Sequence, residues 1–112
     1  MRRIRYRKLI RDRIPETIAA AGARCRLRRL SRRAFVRALR EKLCEEVLEL
    51  RAARDRSSVL NELIDIQELV DTYRRTLGVS PSRFRAMVER KRRRRGGFRK
   101  RLFLEYTEEA DN

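Results

Sequence analysis

Two consecutive stretches of the chain repeat their apolar residues at helical spacing, and both place carboxylates where a purely structural helix would keep hydrocarbon. At about 100° per residue, Val36, Leu39, Leu43, Val47 and Leu50 fall within about 40° of one line, a stripe that faces a core. Glu46 lies only about 60° from the centre of that stripe, and Glu49 follows one turn later on the same edge. In the second stretch Val59, Leu60, Leu63, Ile66, Leu69, Val70, Tyr73 and Leu77 make a broad apolar face. Glu62 falls inside it, between the directions of Leu69 and Tyr73, and Asp65 sits on its margin. An unpaired buried charge is expensive, so folding alone does not account for these positions.

Punctuation sets the rest of the layout. Ser31 is an N-cap for a long helix running to about Ala53. Ser57 or Ser58 caps a second long helix that ends near Gly78. Ser80-Pro81 opens a third that runs to about Arg94, and Gly96-Gly97 breaks it. A short helix begins at Ile14-Pro15 and stops at Gly22. Residues 24–30 and 98–106 partly alternate and read as two short paired strands, and 107–112 reads as a frayed acidic tail. The expected fold is a mainly α helical bundle, one domain over residues 1–112, with a two-stranded β element at about 24–30 and 98–106. The long helices carry more apolar face than 112 residues can cover. Pairing of the second long helix with a symmetry mate, in a homodimer or dimer of dimers, would complete the core.

The charge is uneven. Lys and Arg number 32 against 16 Asp and Glu, a formal net charge of +16. Only four of the 32 are Lys, a bias that a GC-rich coding sequence would produce. Residues 41–71 hold nine carboxylates (Glu41, Glu45, Glu46, Glu49, Asp55, Glu62, Asp65, Glu68 and Asp71) against four basic residues, a net −5 inside a basic chain. A basic surface concentrates polyanions, so weak nonspecific nucleic-acid binding is expected. A uniform nucleic-acid binder has no use for the acidic island.

The composition also removes chemistries. With no histidine, a Ser-His-Asp triad, a Cys-His pair and imidazole metal sites are excluded. Neither an apolar leader segment nor a membrane-spanning run is readable, and Cys25 and Cys44 are the only cysteines. A cytoplasmic chain with reduced thiols and no membrane partner is the expectation. Two acidic pairs at i, i+3, Glu46 with Glu49 and Glu62 with Asp65, point toward one seam. Converging carboxylates repel unless a cation neutralises them, and all-oxygen ligation selects Mg²⁺, with Mn²⁺ as a substitute. Spacing alone leaves open the alternative that these residues pair with arginines from elsewhere in the chain.

Glu45-Glu46-Val47-Leu48-Glu49, twelve residues, then Glu62-Leu63-Ile64-Asp65 resembles the EExxE…ExxD signature of the MazG-like, all-α nucleoside triphosphate pyrophosphohydrolases. Arg7 to Glu16 resembles the KLVRDKIPE opening of a small single-domain, phosphoribosyl-ATP pyrophosphohydrolase-like branch. Lys91 with Arg95-Gly96-Gly97-Phe98 resembles that branch's K-x-x-x-RGGF close. The resemblance runs from residue 6 to about 105 and departs from the branch mainly in Arg replacing Lys. It implies a bundle of the pyrophosphatase type and Mg²⁺ held by Glu46, Glu49, Glu62 and Asp65. Glu45 and Glu46 would be catalytic, Glu45 either supporting the site from behind the ligands or orienting water. Lys8, Arg11, Lys91 and Arg95 would bind phosphate. The implied reaction releases pyrophosphate and a nucleoside monophosphate, a nucleotide house-cleaning activity. The competing expectation is a basic helical nucleic-acid-binding protein without catalysis, acting through Arg24–Arg33 and Arg90–Arg101.

Overall fold

A computed structural model describes residues 2–111. Four helices carry the fold: α1 (Ile14–Ala20), α2 (Arg32–Ala52), α3 (Arg56–Thr76) and α4 (Pro81–Arg95). The chain divides into two compact units, Met1–Val79 and Ser80–Asn112. No helix of the described residues is long and apolar enough to cross a membrane.

In the first unit α2 and α3 pack on one another. Only Ala53, Arg54 and Asp55 separate them, and so short a link forces neighbouring helices to run antiparallel. Cross-links follow that register. Arg32 Nη2 donates to the Thr76 carbonyl at 2.9 Å, and Arg40 Nε donates to the Tyr73 hydroxyl at 2.8 Å. The helix ends are set locally. Ser31 Oγ accepts from the Ala34 N–H, capping α2 as its sequence requires. Gly78, at φ +75°, ends α3 in a conformation glycine adopts without strain. Buried Arg74 ties that turn down by donating from Nη1 to the Val79 carbonyl.

The cap of α3 differs from expectation. Asp55, not Ser57 or Ser58, is the N-cap, accepting from the Ser58 N–H at 2.8 Å and the Ser58 hydroxyl at 3.0 Å. A carboxylate three residues ahead of a serine outcompetes the hydroxyls further in. Those bonds, the backbone one foremost, hold the Asp55 carboxyl below its usual range.

The expected β element is a correction. Neither 24–30 nor 98–106 contains a strand, and the described residues contain none. Arg101 takes φ +55° and its N–H returns to the Phe98 carbonyl at 3.2 Å, a turn that breaks the alternation. Pairing would also have faced arginines with arginines, which is unfavourable across strands. In the second unit Ser80 Oγ caps α4 from Arg83 N, and Pro81 occupies the first turn. The tail expected over 107–112 has no regular structure through residue 111, and Asn112 lies outside the described residues.

The apolar core is thin. Among the described residues Leu39, at 1% exposure, is the one hydrophobic side chain that is fully buried. Much of the broad α3 face stays open, with Leu60, Leu63 and Leu77 all exposed. Leu39→Ala is expected to lower the unfolding free energy by about 3 kcal/mol, a large share of what a domain this size commands. Urea denaturation followed by helical circular dichroism measures it.

Candidate functional site

The antiparallel register of α2 and α3 brings the second half of α2 against the first half of α3, and with it the carboxylates. Oxygens of Glu46, Glu49 and Glu62 lie within 4.8 Å of one another. Their environments are graded: Glu46 is buried at 7% exposure, Glu62 is half-buried and Glu49 is exposed. This order follows the helical wheel, where Glu46 sits nearest the core stripe. Glu46 Oε2 and Glu62 Oε2 are both buried and have no hydrogen-bond partner.

Such an arrangement is costly while both groups are ionised. The Glu46 carboxyl is raised from 4.5 to about 7, and burial is the largest of the causes. A side-chain hydrogen bond with Glu62 and the charges of Glu49, Glu62 and Asp65 push in the same direction. The bond and the partnerless oxygens are two states of one pair. Two carboxylates have no donor between them, and a proton on Glu46 supplies it.

Asp65 is placed otherwise. It lies one turn beyond Glu62 on α3, outside the trio, and its Oδ1 accepts from Arg11 Nη2 at 2.7 Å. The Arg-paired arrangement therefore holds for this one carboxylate. Arg11 belongs to the segment before α1 and also lines an open cleft of about 350 Å³ with Leu63, Ile64, Gln67, Glu68 and Asp71. Lys8 is exposed, its ammonium 5.3 Å from the Tyr6 ring centroid. Glu45 is exposed on α2 and is not part of the trio. Lys91 and Arg95 stand in the second unit, both exposed in the C-terminal half of α4 and one turn apart.

One neighbour escaped the sequence reading. Lys42 Nζ lies 3.9 Å from Glu46 Oε1, the outer limit of an ion pair. Its i, i+4 spacing to Glu46 was the available signal. A single cation at that distance leaves Glu46 Oε2 without a partner.

No family model matches the chain, and no solved structure matches it. An uncharacterized protein of Mycolicibacterium smegmatis (strain ATCC 700084 / mc(2)155) is 51% identical over 53 residues, which cover 47% of this chain and 54% of that protein. The chain thus spans about half the length of the relative it matches.

The raised Glu46 carboxyl has a definite sign in the stability. Between pH 4.5 and about 7 the unfolded chain releases this proton while the folded chain keeps it. Glu46 therefore lowers stability as pH rises through that window, by about 3 kcal/mol in total, and adds no further change above it. In EDTA, Glu46→Gln is expected to match the parent near pH 4.5 and to exceed it at pH 8. Urea midpoints of the two proteins across that range measure the difference.

Proposed function

We propose that this chain is a Mg²⁺-dependent nucleotide pyrophosphohydrolase of helical-bundle type, cleaving a nucleoside triphosphate or a related nucleotide to the monophosphate and pyrophosphate. The observation that carries the reading is the Glu46–Glu62 pair on the α2–α3 seam. Both residues present a buried oxygen with no donor, and Glu49 offers a third oxygen within 4.8 Å. A hard, all-oxygen set without histidine suits Mg²⁺ or Mn²⁺. The EExxE…ExxD resemblance supports the same assignment.

In this reading Glu46, Glu49 and Glu62 hold the ion, and Asp65 completes the set from the next turn of α3. When bound, the ion supplies charge neutralisation and Lewis acidity at the phosphoanhydride. Water adds at the α-phosphorus and releases its proton to solvent, the α–β anhydride bond breaks, and pyrophosphate leaves with the bonding electrons. Arg11 is the guanidinium beside the seam and serves the phosphates, with Lys8 of the same unit as a further cation of the reading. Glu45 faces outward, and the reading does not rest on it.

Purified protein with Mg²⁺ and a panel of ordinary and damaged nucleotides is expected to release pyrophosphate, and EDTA to stop it. Glu62→Gln should cut the rate by roughly a hundredfold or more, while Glu68→Gln, outside the trio, keeps most of it. No pyrophosphate from any nucleotide with Mg²⁺ or Mn²⁺ would sink the proposal.

A homodimer or dimer of dimers is part of the same proposal, supported by the thin core and the open face of α3 around Leu60 and Leu63. Light scattering at micromolar concentration is expected to give at least twice the chain mass, and a stable monomer contradicts it.

A further inference from the structure

The carboxylates occupy one edge of the α2 stripe, and the other edge carries a feature that hydrolysis leaves unused. Arg32, Arg33, Arg37 and Arg40, with Val36 and Glu41, line an open cleft of about 620 Å³ on the N-terminal half of the helix. Glu46 lies nine positions beyond Arg37, which is half a turn in azimuth and about 13 Å along the axis, so this is a separate site.

Two of its guanidiniums are fixed by neutral groups. Arg32 donates to the Thr76 carbonyl, and Arg40 to the Tyr73 hydroxyl, with its guanidinium 5.9 Å from the Tyr73 ring centroid. Neutral acceptors hold the side chains in place and leave their charge uncompensated. Arg33 and Arg37, one helical turn apart, have no hydrogen bond or ion pair among the described residues. Glu41 is the single carboxylate on the cleft wall. The site is thus a row of four cations against one anion, half of it preorganised.

The length of the row selects among anions. Arg32 to Arg40 spans about 12 Å of helix axis. That is more than one free phosphate covers, and it calls for phosphates in series, as along a nucleic-acid strand. We propose that this cleft binds the phosphodiester backbone of a nucleic-acid strand, without reading its bases. The site is independent of the seam, so a chain that hydrolyses nothing would still bind there.

Fluorescence anisotropy of a labelled short oligothymidylate, which has no base pairing, tests it. Arg33→Gln with Arg37→Gln is expected to weaken binding about tenfold or more and to reduce the slope of log K against log salt by about 1.5. Arg51→Gln with Arg54→Gln removes the same charge elsewhere in the first unit and is expected to cost less than about threefold. Arg33→Lys with Arg37→Lys keeps the charge and should recover most of the affinity, which separates lost contacts from lost folding. Equal losses in the two Gln pairs would mean diffuse attraction and overturn the proposal, as would no binding by the parent. Displacement of the strand by inorganic tripolyphosphate or by anionic lipid vesicles at matched phosphate would overturn it too, by assigning the cleft to a smaller or a flat ligand.

Discussion

Everything placed in the first unit depends on α2 lying antiparallel against α3. The three-residue link enforces the direction, and the register follows from which side chains meet. Leu39 anchors the pair, Arg40 reaches Tyr73, and Arg32 reaches the last carbonyl of α3. With these contacts fixed near one end, Glu46 and Glu62 are carried together further along, whether or not their charges suit it. A register shift of one turn would separate them by about 5 Å and leave Glu46 against hydrocarbon.

The seam therefore holds two opposing demands. Continuing the stripe through Leu43, Val47 and Leu50 favours close packing of the helices, and close packing desolvates Glu46. Its carboxyl answers by holding a proton to about pH 7. A proton and a divalent ion are alternative remedies for the same excess of negative charge, since each supplies the positive partner that Glu46 Oε2 and Glu62 Oε2 lack. Lys42, at 3.9 Å and on the same helix, is too distant to serve in their place. Asp65 has its own remedy in Arg11, which explains why it stands apart from the trio while remaining on the same face of α3.

The helices were legible because their signals are local. Ser31, Ser80-Pro81, Gly22 and Gly78 each act through a bond or a backbone angle within a few residues, and each does in the structure what its chemistry dictates. The depth of Glu46 was legible for a related reason, since angular distance from the apolar stripe is fixed by helix geometry. The strands were not legible. Alternation at 24–30 and 98–106 is a necessary mark of a strand, but pairing is decided by the partner, and here both candidates alternate with arginine. The Arg11–Asp65 pair was equally invisible. The two residues are 54 apart in sequence, and 28 arginines gave no reason to choose that one.

The distribution of charge around α2 resolves what the totals obscure. A chain of +16 with an acidic island has no single electrostatic character, and the helix shows why both signs persist. Its apolar stripe is a low-dielectric divider. Arg33, Arg37 and Arg40 stand on one side of it, Glu46 and Glu49 on the other, and α3 packs along the line between them. Screening by salt shortens interactions through water to about 8–10 Å, while Arg37 stands about 13 Å of axis and half a turn from Glu46, and Arg33 stands farther still. Each group therefore keeps its own potential instead of cancelling the other's. Had the arginines fallen on the carboxylate edge, i, i+4 ion pairs would have consumed both sets, as Lys42 begins to do at Glu46. The segregation is what leaves one edge of the helix acidic and the other basic.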